Sequence, residues 1–165
     1  MMCRYGRRAD FLQTGLHAAR GEHERGAAVL ATLAESSGPA DLAAEQRFLV
    51  AYAQVLCAQA LADDDLHHMA VPLWDQVLDG LDLAADAGGH QDRLLVLAGI
   101  GYGGFCVQTG RLAEAEPWLR RAGARAELNG WELDTARTQL ERAIGDWSRG
   151  DHTSVEHLIN EAYPV

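Results

Sequence analysis

Turn signals recur along this 165-residue chain at intervals of 40 to 45 residues. They are Gly21-Glu22, Asp65-Leu66, Gly110-Arg111 and Gly150-Asp151. In the first three of these repeats, a small residue follows five positions after the turn begins: Gly26, Ala70 and Ala115. Four positions further on stands a large apolar residue, which is Leu30, Trp74, Leu119 or Ile159. Because self-similarity at a period of roughly 20–50 residues marks repeat architectures, the sequence predicts stacked helical hairpins.

The residue types between these turns favour helices. Leucine and alanine are common, whereas the β-branched residues valine and isoleucine, which favour strands, are scarce. Glycine, proline and aspartate breaks divide the chain into predicted helices over about residues 8–20, 22–35, 41–62, 66–87, 91–109, 112–128, 132–149 and 153–162. The run Asp63-Asp64-Asp65 is predicted to end the third helix and to cap the fourth. The predicted fold class is all-α, with about eight helices.

One segment carries a family resemblance. The run Gly110-Arg111-Leu112-Ala113-Glu114-Ala115-Glu116-Pro117-Trp118-Leu119-Arg120-Arg121-Ala122 resembles the turn and second helix of a tetratricopeptide repeat, and Gly103 stands where that family places its first-helix glycine. The repeats exceed the family's roughly 34 residues and look like the extended repeats in the sensor arms of large bacterial transcription activators. The resemblance implies a right-handed α-solenoid, a single tetratricopeptide-like domain over residues 1–165. Its antiparallel hairpins are expected at about 7–37, 40–87, 90–128 and 131–163.

The resemblance also implies that the first helix of each hairpin lines a concave groove. The residues placed on that surface combine aromatic, amide and arginine groups, which suit a peptide or another extended ligand. The predicted ligand-groove residues are Tyr52, Gln59, Gly104, Gln108, Arg137 and Trp147. Ile100 and Leu140 lie near the same surface, where packing between helices is the simpler interpretation.

The charged residues exclude several kinds of chemistry. All 14 basic residues are arginine, so a phosphate-loop lysine, a Schiff-base lysine and a lysine general base are absent. The 24 acidic residues give a formal net charge of −10 at pH 7, which disfavours direct contact with nucleic acid phosphates. No apolar run approaches the ~18 residues of a membrane helix. Cys3, Cys57 and Cys106 stand far apart, which is typical of a reducing cytoplasm.

Two local patterns bear on a cofactor or a metal ion. Gly99-Ile100-Gly101-Tyr102-Gly103-Gly104 satisfies G-x-G-x-x-G, but Gly110 follows too soon for the long helix of a dinucleotide site. These glycines are predicted to let a neighbouring helix come close; the alternative is that they leave room for a ligand. His67 and His68 point about 100° apart on a helix and cannot easily share one ion. The sequence therefore predicts no cofactor and no metal ligand, and it contains no G-x-S-x-G nucleophile elbow.

Taken together, these observations predict a non-enzymatic, cytoplasmic helical-repeat module that binds a protein or peptide. Its expected role is regulatory or adaptor-like, and the resemblance suggests part of a bacterial transcriptional regulator. Pairing of open repeat ends makes a homodimer plausible. The alternative is a small helical enzyme or small-molecule receptor with a closed pocket, favoured by the glycine-rich fifth helix and by Trp74, Trp118, Trp131 and Trp147. A third alternative is a structural assembly subunit.

Overall fold

The computed structural model describes Arg25 and residues 44–81, 90–153 and 155–157. Within these residues the backbone forms α-helices joined by tight turns, and it forms no strand, so the all-α prediction is confirmed. The helices are α1 (Ala44–Asp63), α2 (His67–Gly80), α3 (His90–Gln108), α4 (Leu112–Leu128) and α5 (Glu132–Arg149), and residues 152–153 and 155–157 are also helical. None of the helices in the described ranges combines the length and apolar character needed to cross a membrane.

The chain divides into two compact units, Met1–Leu94 and Leu95–Val165. In the first unit, α1 packs against α2. Ala53 and Cys57 of α1 form a buried cluster, against which Ala60 and Leu73 pack. Trp74, at the large apolar position of its repeat, is fully buried, so this repeated position belongs to the core. The single domain over residues 1–165 stays a prediction.

In the second unit, α3 and α4 approach each other through glycine and alanine. A Cβ atom built on Gly99 would lie 2.8 Å from Cβ of Ala122, and one built on Gly103 would lie 2.5 Å from Cδ2 of Leu119. Val96 and Ile100 of α3 form one buried cluster with Ala122 and Ala126 of α4. Close approach of a neighbouring helix therefore accounts for Gly99 and Gly103, as the sequence predicts.

The turns after α1, α3, α4 and α5 share one backbone conformation. Each contains a residue with positive φ, namely Asp65 (59°), Gly110 (74°), Gly130 (69°) and Gly150 (81°). In each, the next backbone N–H donates to the carbonyl five residues earlier: Leu66 to Leu61, Arg111 to Cys106, Trp131 to Ala126 and Asp151 to Asp146, at 2.7–2.9 Å. This is the Schellman arrangement, which satisfies carbonyls left open at a helix C-terminus. Because the last three turns are 20 residues apart, α4 and α5 have nearly equal lengths.

Two local predictions for the second hairpin are wrong. The predicted helix over 66–87 ends at Gly80, because Leu81 adopts an extended conformation with φ −79° and ψ 106°. Glycine has a low helix propensity, which favours an end at this position. The aspartate run also does not cap α2, since the helix begins after Leu66 with no side-chain capping hydrogen bond. Asp65 instead supplies the left-handed residue of the turn.

The predicted limits of the later helices agree better with the structure. Both α4 (Leu112–Leu128) and α5 (Glu132–Arg149) begin and end where the sequence predicts. α3 (His90–Gln108) differs from the predicted range by one residue at each end. The predicted helices over about 8–20 and 22–35 lie outside the described residues, apart from Arg25, which is helical.

Candidate functional site

The first unit carries two of the predicted groove residues, Tyr52 and Gln59. Both lie on α1 and are half-buried. The Tyr52 ring stacks on the ring of Phe48, with the centroids 6.0 Å apart and the planes 10° from parallel. A spacing of four residues places these two rings on one helix face. Tyr52 is thus engaged with its own helix.

The second unit carries the other four predicted groove residues. Gly104 is buried, and a Cβ atom built on it would lie 3.2 Å from the carboxyl group of Glu141 on α5. Gln108 is exposed in the last turn of α3. Arg137 and Trp147 are both exposed on α5. The structure thus places Gly104 under a neighbouring helix and leaves Gln108, Arg137 and Trp147 accessible.

Arg137 and Trp147 belong to a row of exposed side chains along α5. Large apolar side chains are exposed at Leu133 (76%), Leu140 (60%), Ile144 (45%) and Trp147 (61%). With Arg137 included, successive members are 4, 3, 4 and 3 residues apart, which keeps them on one helix face. Single exposed leucines are ordinary, whereas a contiguous row marks an interaction surface. The five residues Leu133, Arg137, Leu140, Ile144 and Trp147 are called the outer stripe below.

A different face of α5 fixes the outer stripe in place. Asp134, Thr138 and Gly145 of α5 are buried. The Thr138 hydroxyl donates a hydrogen bond to the Thr135 carbonyl at 2.7 Å, and its oxygen lies 3.1 Å from where a Cβ atom on Gly123 of α4 would be. The small residues of this face let α5 lie close to α4, with which it packs extensively. The outer stripe is therefore carried by a packed helix.

Trp147 also contacts the segment that follows α5. Its ring centroid lies 4.4 Å from that of His152, with the planes at 60°. The left-handed residue Gly150 reverses the chain between them. This contact holds the indole at the C-terminal end of the outer stripe.

Glu141 is the carboxylate nearest to the outer stripe that has a shifted pKa. Burial raises the pKa of Glu141 above its ordinary value of 4.5, and the positive charge of Arg137 partly offsets that rise. Arg137 thus connects the outer stripe with the half-buried acid beneath it. The site is apolar along most of its length, with one arginine that can meet a carboxylate or an aromatic ring of a partner.

A shallow cleft of about 180 Å³ lies where α3, α4 and α5 meet. Val107 and Leu119 form its apolar wall, and Glu116 and Arg142 stand on its charged side. Nη2 of Arg142 lies 3.5 Å from Oε1 of Glu116. Small-molecule sites usually have volumes of about 300–1,000 Å³, so this cleft is too small for a typical substrate.

The four tryptophans occupy separate environments. Trp74 is fully buried in the first unit. In the second unit, Trp118 meets the edge of the Tyr102 ring at 5.9 Å, and Trp131 packs against the buried cluster that contains Ile100. Trp147 is exposed. The three tryptophans of the second unit therefore do not converge on one ligand, which leaves the closed-pocket alternative without support from them.

A cluster of aromatic rings and charges joins α3 to α4 across their turn. The guanidinium carbon of Arg111 lies 5.0 Å from the Phe105 ring centroid and 5.6 Å from that of Tyr102. Nη1 of Arg111 lies 3.3 Å from Oε2 of Glu114, and the Tyr102 hydroxyl donates to the same oxygen at 3.3 Å. Burial raises the pKa of Tyr102 to about 12, so the phenol keeps its proton at neutral pH. These contacts stabilise the hairpin.

The patterns considered for cofactor and metal binding have structural explanations. Gly99 to Gly104 lie inside α3, so the G-x-G-x-x-G segment is helical and forms no phosphate-binding loop. His67 stands at the start of α2, with Nε2 3.8 Å from Oδ1 of the exposed Asp65. Among the residues that the structure describes, no three His, Cys, Asp or Glu side chains are close enough to hold a metal ion.

Sequence reasoning missed two members of the outer stripe, Leu133 and Ile144, and treated Leu140 as packing. The signal that could have found them is the spacing of 4, 3, 4 and 3 residues from Leu133 to Trp147. Ile100, by contrast, is buried with an exposure of 2%, in agreement with the packing interpretation.

Comparison of the chain with profiles of protein families, with curated proteins and with solved structures found no match.

Proposed function

We propose that this chain is a cytoplasmic, non-enzymatic helical-repeat module that binds a protein or peptide through the outer stripe and has a regulatory or adaptor role.

We also propose that its all-α fold is a right-handed, tetratricopeptide-like α-solenoid. Its support is the packing of Gly103, Ala115 and Ala122, which are buried where that family uses small residues. The shared turn geometry after α1, α3, α4 and α5 also supports regular hairpins.

The observation that carries the proposal is the exposure of four large apolar side chains in one row of α5. Fully burying one such side chain contributes about 1.5–3 kcal/mol, so a partner that covers several of them gains enough to bind. The spacing of the row matches the helix-in-groove mode, in which anchors recur every three or four residues. Arg137 adds one charged contact that can select a partner.

The experiment is selection of peptides from a displayed library on the wild-type chain, followed by titration of the selected peptides against variants. Leu140→Asp is expected to weaken binding by at least about tenfold, because it places a charge in the apolar row. Leu128→Asp is the matched control, since Leu128 is a leucine of 77% exposure on α4, outside the outer stripe. It is expected to leave binding unchanged. Failure to select any peptide, or equal binding to both variants, would contradict the proposal.

A further inference from the structure

We infer that the partner of the outer stripe is a second copy of this chain, paired in antiparallel orientation so that α5 of one copy lies on α5 of the other. This inference rests on the proposed function, because it names the protein that the outer stripe binds.

One repeat earlier, the face of α3 that corresponds to the outer stripe is a packing face. The turns at Gly110 and Gly150 are 40 residues apart, so Leu140, Ile144 and Trp147 correspond to Ile100, Gly104 and Val107 of α3. All three α3 residues are buried.

This α3 face is covered by α5, by the turn before α5 and, at Ile100, by Ala122 and Ala126 of α4. Glu141 lies over Gly104, Cγ2 of Val107 lies 3.5 Å from the Cβ position of Gly145, and Ile100 belongs to the cluster against which Trp131 packs. On α3 the face is therefore covered by the two helices that come after it in the chain, α4 and α5. The equivalent face of α5 carries larger apolar groups and is exposed, which identifies a helix as the fitting occupant.

From Arg137 to Trp147 the outer stripe is complementary to itself. Its spacing is that of the a and d positions of a coiled coil, with Leu133, Leu140 and Trp147 at d and Arg137 and Ile144 at a. In an antiparallel pair, a positions of one helix meet d positions of the other. A two-fold axis near residue 142 then places Leu140 on the partner's Ile144 and Arg137 on the partner's Trp147. Each of these contacts occurs twice, as in an isologous interface, whereas Leu133 lies opposite position 151, beyond the end of α5.

Each copy has a formal net charge of −10, which opposes association in general. The outer stripe contains no carboxylate, and its one charged member is Arg137. In the antiparallel register this arginine faces an indole, where a cation gains a cation–π contact, whereas a parallel register would place it against the same arginine of the other copy. The charge pattern therefore favours the antiparallel pair.

The experiment is sedimentation velocity on the full chain at concentrations from about 1 to 200 µM, a range that covers weak and moderate dimers. The wild type is expected to shift from 17.9 kDa to about twice that mass. Leu140→Asp is expected to raise the dimer dissociation constant at least about tenfold, whereas Leu128→Asp leaves it unchanged. Circular dichroism of both variants checks that their helix content equals that of the wild type.

A charge exchange tests the register. Arg137→Glu and Trp147→Arg are each expected to weaken the dimer, and the double variant is expected to regain at least part of the lost affinity, because Glu at 137 then meets Arg at 147 of the other copy. In a parallel pair the double variant would place like charges together and regain nothing, which would overturn the antiparallel arrangement. A wild type that stays monomeric throughout, or a dimer indifferent to Leu140→Asp, would overturn the inference itself. Library peptides that still depend on Leu140 would then leave the proposed function standing.

Discussion

Gly99 faces Ala122 across the interface of α3 and α4 at a distance that leaves no room for a second Cβ atom. Such an atom would lie 2.8 Å from Cβ of Ala122 and 3.1 Å from the carbonyl oxygen of Trp118. Alanine has no rotamer with which to move away, and the carbonyl belongs to a helix backbone. The two helices must therefore separate if Gly99 acquires a side chain.

Gly99→Ala is expected to destabilise the second unit. Overpacking costs about 1–3 kcal/mol, from which the higher helix propensity of alanine recovers up to about 1 kcal/mol. The measurement is the free energy of unfolding from urea titration, followed by circular dichroism. The double variant Gly99→Ala/Ala122→Gly should show positive coupling, since it returns the missing space.

The matched control is Gly80→Ala. Gly80 is the last residue of α2, and a Cβ atom there would have no heavy-atom neighbour within 4 Å. This substitution should leave stability unchanged or raise it by up to about 1 kcal/mol. Equal effects of the two glycine substitutions would contradict the close-approach explanation of α3.

Glu141 is expected to make stability fall as the pH rises above 4.5. Burial raises its pKa in the folded chain above the ordinary value of 4.5, so between these two values the folded state binds more protons than the unfolded state. The free energy of unfolding therefore decreases with pH across that window. Glu141→Gln should remove this decrease and be more stable than the wild type at pH 7. Urea titrations from pH 4 to pH 8 measure the difference.

Arg137→Gln is expected to enlarge the pH dependence of stability that Glu141→Gln removes. The positive charge of Arg137 lowers the pKa of Glu141, so its removal should raise that pKa further and extend the fall in stability to higher pH. The double variant with Glu141→Gln should not show this extension. A wild type and an E141Q variant with parallel stability profiles would show that Glu141 is solvated like an ordinary surface carboxylate.

The limits of the later helices could be predicted because their turns need a residue with positive φ. Glycine supplies that conformation at positions 110, 130 and 150, so the sequence near each helix end is enough to predict where the helix stops. The end of α2 was harder to predict, since Gly80 is followed by Leu81 and Leu83, which continue a helical apolar pattern. Gly80 favours a helix end, but nothing local in the sequence shows that Leu81 adopts an extended conformation.

The candidate site could be predicted only in part, because periodicity shows which residues share a face and not which faces are covered. The family resemblance predicts Arg137 and Trp147 as ligand-groove residues; both are exposed, and their role in binding stays a prediction. Gly104 was predicted in the same way, but Glu141 lies over it. That contact joins residues 37 positions apart and depends on how α5 packs on α3, which local sequence does not encode.

The buried thiols are expected to resist alkylation in the folded chain. Burial raises the pKa of Cys57 to about 11, and it also raises the pKa of Cys106. The thiolate is the reactive form, so little of either residue is available at pH 8. Peptide mass spectrometry after brief iodoacetamide treatment should find both residues unmodified, and both modified in urea. Rapid labelling of Cys106 in the native chain would show that α3 opens readily from its neighbours.

The shared turn conformation predicts opposite outcomes for two substitutions at equivalent positions. Gly110 has φ 74°, where a side chain costs about 1–2 kcal/mol, so Gly110→Ala should lower the free energy of unfolding by about that amount. Asp65 occupies the same conformation with φ 59°, so Asp65→Gly should leave stability unchanged or raise it by up to about 1 kcal/mol, although it removes a side chain. Asp65→Ala should destabilise, because alanine lacks the local hydrogen bonding that helps aspartate adopt positive φ. Urea titration of the three variants would measure these signs, and a stability loss in Asp65→Gly as large as in Asp65→Ala would mean that the carboxylate, rather than the backbone, stabilises this turn.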